Sequence, residues 1–165
     1  MIPPSHTREE ILKLLSVIPD PEIPVISIQE LGILRDVHLK GEEVVVDITP
    51  TYSGCPAMKA IEQDIVALLH DQGIDQVKVN LVYAPAWTTD WITEAAKEKL
   101  RVYGIAPPEK TSVDKASLTG KPKSLVCPHC GSKHVEMVSQ FGSTACKALY
   151  KCLDCKEPFD YFKCI

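Results

Sequence analysis

Two short cysteine pairs, Cys127-Pro128-His129-Cys130 and Cys152-Leu153-Asp154-Cys155, carry the most explicit chemistry in this chain. Each is a C-x-x-C knuckle, and 21 residues separate the two. Four thiolates offered in two such turns close a tetrahedron around one zinc ion. The separation is slightly wider than the usual zinc spacing but of the same kind. A closed four-thiolate site leaves no open coordination position, so a structural role is expected. An iron–sulfur cluster is the rival occupant of this donor set. A metal here would fold a segment of about 40 residues that is too small to hold together by burial alone.

Three more thiols complete the seven. Cys146 and Cys164 fall in the same small module; the simple expectation is core-facing residues on strands, the sharper one a second thiol pair or alternative ligands. His129 and His134 are left to solvent or to supporting the cysteines. Cys55 is the thiol with most promise for activity. It follows Thr49-Pro50-Thr51-Tyr52-Ser53-Gly54 and directly precedes Pro56, a favoured first helical residue. There it meets the positive end of a helix dipole and unpaired backbone N–H groups, which favour thiolate. Such a thiol serves as a nucleophile or as a transient ligand for a soft metal, or simply packs as a small residue. Asp20 and Glu22 flank Pro21 in a stiff loop; their carboxylates suit a metal, a helix N-terminus, or an ordinary cap and turn. Trp87 and Trp91 are expected in the core. No G-x-G-x-x-G, P-loop, nucleophile elbow or H-E-x-x-H occurs, and no catalytic residue is assigned.

The elements that must position these groups follow from patterning. Thr7-Arg8-Glu9-Glu10 reads as a capping box opening a helix whose apolar face is Ile11, Leu12, Leu14, Leu15 and Ile18, stopped by Pro19 and Pro21. Leu34–Leu39 and Val44–Ile48 form an expected hairpin around Lys40-Gly41-Glu42. A second helix starts at Pro56, buries Met58, Ile61, Ile65, Leu68 and Leu69, and stops near Gly73. Residues 77–82 alternate as a third strand, and a third helix is expected from about Thr89 to Tyr103, capped at Thr89 or Asp90. Residues 104–123 read as a polar linker. Strands at residues 134–140, 145–151 and 159–163 complete a zinc ribbon. The expected fold is thus α/β (α+β): a small mixed or antiparallel sheet with three helices over residues 1–103, then a linker, then a C-terminal zinc ribbon over residues 124–165.

Bulk properties narrow the function. The chain has 165 residues, 45% hydrophobic and 24% charged, with net charge −4. Residues 1–123 carry 13 basic and 18 acidic side chains; residues 124–165 carry five and four. Neither part has the basic surplus of a nucleic-acid binder. No apolar run approaches a membrane span. The N-terminus lacks a basic region followed by an apolar core, and the thiol pattern fits a reducing compartment, so a cytoplasmic location is expected.

Asp20-Pro21-Glu22-Ile23-Pro24, Leu31-Gly32, Thr49-Pro50-Thr51 with Gly54-Cys55-Pro56, and Pro85-Ala86-Trp87 occur in an order that resembles the MIP18 family, also called DUF59, over about residues 7–103. With the ribbon, Phe141-Gly142-Ser143-Thr144-Ala145-Cys146-Lys147-Ala148 and residues 157–164, the whole chain is similar to the D-subunit family of bacterial phenylacetyl-CoA epoxidase systems. The resemblance implies a compact α/β domain and a role in iron–sulfur or di-iron cofactor assembly for phenylacetate degradation. It marks Cys55 as the functional thiol, with Asp20, Glu22 and Thr51 as the supporting loop. It implies a maturation accessory, not an enzyme, with zinc as structural cofactor and iron or an iron–sulfur cluster as transient cargo. Its implied partners are the epoxidase oxygenase or reductase subunits, with a homodimer left open. The rivals are a thiol enzyme using Cys55, a purely structural component of the complex, and a nucleic-acid-binding ribbon.

Overall fold

A computed structural model describes residues 6–52, 54–108 and 125–162 of the protein. Cys164 and residues 109–123 of the expected linker lie outside these. The chain divides into two compact units, Met1–Trp87 and Thr88–Ile165.

In the first unit, helix α1 spans Arg8–Leu15. Its capping box is formed: the Glu10 amide donates to Thr7 Oγ1 (3.3 Å), and the Thr7 amide donates to Glu10 Oε2 (2.7 Å). Ile11 and Leu15 are fully buried. The helix ends before Ile18, at Ser16, whose hydroxyl donates to the Lys13 carbonyl; Ile18 is buried from the turn that follows. Strands β1 (Leu34–Lys40) and β2 (Glu43–Ile48) pair antiparallel across Gly41, whose φ of 64° suits a residue without Cβ. Helix α2 (Ala57–Asp71) then crosses over to β3 (Val77–Leu81), which lies parallel to β2. The sheet order is β1-β2-β3, so the sheet is mixed.

β2 is central, and Val44, Val45, Val46 and Ile48 are all buried, which accounts for its nearly unbroken apolar run. α2 buries Met58, Ile61, Ile65 and Leu69 at helical spacing; Leu68 is rotated off this stripe and only half-buried. Each fully buried Ile or Leu contributes about 1.5–3 kcal/mol of transfer free energy.

The second unit holds a short 3₁₀ turn (Thr89–Trp91), helix α3 (Glu94–Tyr103) and strands β4 (Ile105–Ala106), β5 (Val135–Ser139), β6 (Lys147–Cys152) and β7 (Pro158–Phe162). The expected third helix is therefore two pieces. Ile92 is extended, and Thr93 starts α3 afresh by accepting the Ala96 amide at 3.1 Å; Thr88, not Thr89 or Asp90, caps the turn before it. The three expected ribbon strands are present as β5, β6 and β7. A fourth joins them from the first residues of the expected linker: Ile105 and Ala106 pair in parallel with Asp160 and Tyr161, giving the order β4-β7-β6-β5. No local pattern in two residues could announce that pairing. Ala106, Leu125, Cys127, Ala148, Tyr150, Cys152, Phe159 and Tyr161 form one buried cluster. The described residues thus form a mixed α/β fold with three helices and two small sheets, and a cysteine cluster toward the C-terminus.

Candidate functional site

The two knuckles meet. The sulfurs of Cys127, Cys130, Cys152 and Cys155 all lie within 4.8 Å of one another, with Cys127–Cys155 at 3.8 Å and Cys130–Cys152 at 3.5 Å. A regular tetrahedron of sulfurs about 2.3 Å from zinc has edges of about 3.8 Å, so the donor set fits a four-thiolate metal. These spacings are far beyond a disulfide bond. The knuckles are built alike. The Cys127 amide donates to the Ser132 carbonyl (2.8 Å), and the Cys152 amide donates to the Glu157 carbonyl (3.0 Å), each closing a loop over five residues. Both loops turn on a left-handed residue directly after the second cysteine, Gly131 at φ 78° and Lys156 at φ 67°.

The electrostatics call for a cation. The Cys155 and Asp154 backbone N–H groups bring the Cys152 thiol down to about 6. Cys155 goes the other way: although the Glu157 N–H favours its thiolate, desolvation and the neighbouring sulfurs push it up to about 12. Sulfurs this close cannot all carry charge unaided, and a divalent ion removes that conflict. Around them, Asp154 accepts the Ser132 hydroxyl and lies 3.3 Å from His134 Nδ1, and the Leu153 amide donates to the His134 carbonyl, tying one knuckle to the other. His134 thus supports the cysteines from outside.

Cys55 is positioned by different means. It sits just before α2, which begins at Ala57 with Pro56 in helical conformation. It is buried there, 9% exposed. Its thiol also lies above the ordinary value, against the expectation of a favoured thiolate. Burial is the largest cause. The Ala57 N–H at the helix start and the Tyr52 hydroxyl do favour the thiolate, but Glu22, and then Asp20, oppose it with their charge. The helix start acts in the expected direction and is outweighed.

That opposition means that the charges of the Asp20–Glu22 loop, more than thirty residues upstream, are felt at Cys55. Asp20 shapes this loop. It is 4% exposed, and its Oδ1 accepts the amides of Glu22 (2.9 Å) and Ile23 (2.8 Å), while its own amide donates to the Ile26 carbonyl. Thr51 is half-buried in the loop leading to Cys55. Tyr52 is the residue that sequence reasoning missed; it lay inside the quoted loop, but only the fold turns its hydroxyl to the sulfur. Trp87 is buried and donates Nε1–H to the Leu31 carbonyl at 2.8 Å, pinning the Leu31-Gly32 segment.

Cys55 opens onto a groove of about 680 Å³ along α2, lined among others by Met58, Lys59, Glu62, Val66, His70 and Leu81. Among the described residues, the four knuckle cysteines are the one convergent set of three or more His, Cys, Asp or Glu ligands. Cys55 therefore offers a single sulfur, in the field of the Glu22 and Asp20 carboxylates. A raised thiol with no imidazole among the groups acting on it suits a nucleophile poorly at neutral pH. His38 is engaged elsewhere, 2.8 Å from Asp47. Cys146 is buried in the turn before β6, 3.0 Å from Thr144 Oγ1. No helix among the described residues is long and apolar enough to cross a membrane.

Fold and site together define a two-unit thiol protein, with one sulfur in the field of an acidic loop in an α/β unit and a cluster of four in a ribbon. The chain belongs to the iron–sulfur cluster assembly protein family (DUF59/MIP18), matched over residues 8–81, and carries the PaaD zinc beta ribbon domain, matched over residues 111–163. It is 53% identical over 156 residues, 94% of this chain and 92% of the relative, to an Escherichia coli (strain K12) protein whose name makes it one of the subunits of a "Putative 1,2-phenylacetyl-CoA epoxidase". It is 33% identical over 97 residues, 58% of this chain and 91% of the relative, to an Fe-S protein maturation auxiliary factor of Porphyromonas gingivalis. A crystal structure of a DUF59 domain from Bacillus anthracis superposes with TM-score 0.52 at 27% identity, covering 56% of this chain and 90% of that one.

Proposed function

We propose that this chain is a maturation accessory for the phenylacetyl-CoA epoxidase system, handing iron or an iron–sulfur cluster to its oxygenase or reductase component. The observation that supports the reading is a single thiol, Cys55, lining a groove and lying in the field of the Asp20–Glu22 loop, in a chain related along nearly its whole length to an epoxidase subunit and over more than half of it to Fe-S maturation factors.

Cargo transfer needs a ligand that binds without enclosing. Cys55 offers one sulfur, not a cage, so coordination positions stay open for the receiving protein. Asp20 and Glu22, which disfavour an empty thiolate, attract a cation beside it. Asp20 holds the loop, Tyr52 orients the sulfur, and the groove along α2 gives an approach. The four ribbon cysteines hold zinc, whose chemistry there is structural: it fixes the two knuckles against each other through their sulfurs. This division makes the chain a non-catalytic partner of an oxygenase complex, working in the cytoplasm.

The test is restoration of epoxidase cofactor in cells lacking the chain. Wild type restores it; Cys55→Ala at equal abundance does not. Full restoration by Cys55→Ala removes the assignment and leaves a structural component of the complex.

A further inference from the structure

Helix α3 does not end in a free tail; it runs directly into the metal module. Gly104, its C-cap, has φ 98°, a left-handed conformation suited to glycine. The next two residues are β4. Ile105 is 4% exposed and Ala106 1% exposed. Ala106 lies in the same buried cluster as Cys127 and Cys152, one sulfur donor from each knuckle. The partner of β4 is β7, and β7 begins three residues after Cys155, so the second knuckle is the hairpin that sets β7 against β6. The first knuckle reaches the same point from the other side: a Cβ on Gly104 would stand 3.4 Å from His129 Cε1 and 3.9 Å from His129 Nε2.

We infer that the four-cysteine centre is a clasp on the C-terminal turn of α3, fixing Leu100–Ala106 through His129 on Gly104 and β7 on β4 when metal is bound. This rests on metal binding at Cys127, Cys130, Cys152 and Cys155. Without the ion the four sulfurs no longer hold the knuckles together. His129 then leaves Gly104, β7 loses its fixed position against β4, and the last turn of α3 frays. A two-residue strand has too few bonds of its own to persist. Ribbon metal occupancy is thereby coupled to the order of a helix with no ligand on it.

Hydrogen exchange on the full-length chain tests this, with zinc content measured on every sample. The comparison is zinc-loaded protein, chelator-stripped protein, and zinc-loaded His129→Ala, which keeps all four sulfurs. Stripping zinc should speed exchange over Leu100–Ala106 by about tenfold or more while Ile61–Leu69 is unchanged. His129→Ala should keep its zinc and still exchange faster over Tyr103–Ala106. Equal exchange over Leu100–Ala106 with and without one bound zinc would overturn the clasp while leaving the metal site intact. Wild-type protein that takes up no zinc would overturn both, and the metal content distinguishes the two failures.

Discussion

Lys156 stands in the second knuckle where Gly131 stands in the first, both left-handed, at φ 67° and 78°. A lysine in this conformation carries a cost that glycine does not, of about 1–2 kcal/mol. It is held there by the loop closure from Cys152 to Glu157 and by its own ammonium, which donates to the Leu153 carbonyl. Gly131→Ala should therefore lower the unfolding free energy of the metal-loaded chain by about 1–2 kcal/mol, since the strain is newly introduced. Lys156→Gly should change it by less than about 1 kcal/mol, relieved strain offsetting the lost contact and added chain freedom. Denaturant titration compares the pair; equal losses at both sites would contradict the reading.

Cys55 should be a slow thiol. Its ionisation is opposed by burial and then by Glu22, so alkylation at pH 7 should be slower than for an unfolded peptide thiol and should climb with pH beyond the ordinary value of 9.0. Glu22→Gln removes one opposing charge and should speed alkylation at neutral pH. Tyr52→Phe removes a group that favours the thiolate and should slow it. Rates from mass spectrometry on a chain whose knuckles are zinc-loaded isolate this thiol from the four ligands.

Arg8 and Asp36 give a pH dependence with a definite sign. The Arg8 guanidinium, followed by the Val37 amide, holds the Asp36 carboxyl below its ordinary 3.8. A depressed folded value contributes stability above the unfolded pKa and loses it as pH falls through the folded one, here below about 4. Both side chains are more than one-third exposed, at 46% and 37%, so the pair contributes only about 0–1 kcal/mol. Asp36→Asn should flatten the acid limb of the stability curve slightly and change nothing at pH 7 beyond that amount.

Trp87 should matter through one hydrogen bond as well as its ring. Trp87→Phe keeps most of the apolar bulk and strips the Leu31 carbonyl of its 2.8 Å donor in a buried place, at a cost of about 1–3 kcal/mol. Ile65→Ala, in the fully buried stripe of α2, should cost about 2–5 kcal/mol. Thermal unfolding of the two variants ranks them.

Much of this was legible in the sequence where the governing physics is local. The Thr7–Glu10 capping box, the α2 stripe of Met58, Ile61, Ile65 and Leu69, the β1–β2 hairpin and the two knuckles each depend on residues a few places apart. What escaped depends on distant partners. Ile105-Ala106 is a strand only because β7 lies beside it. The third helix breaks at Ile92, whose backbone is extended, and Thr93 caps α3 afresh beyond it. Cys55 does lie at a helix start, but its burial and the charges of Asp20 and Glu22 come from another part of the unit, and they reverse the sign the helix alone would give.

The central claim is that one sulfur lends itself to cargo while four stay locked on zinc. Metal analysis of anaerobically purified wild type and Cys55→Ala tests it most directly. The account predicts one tightly held zinc per chain in both proteins and labile iron in wild type only. Equal iron in the two, or loss of zinc with Cys55, would contradict it.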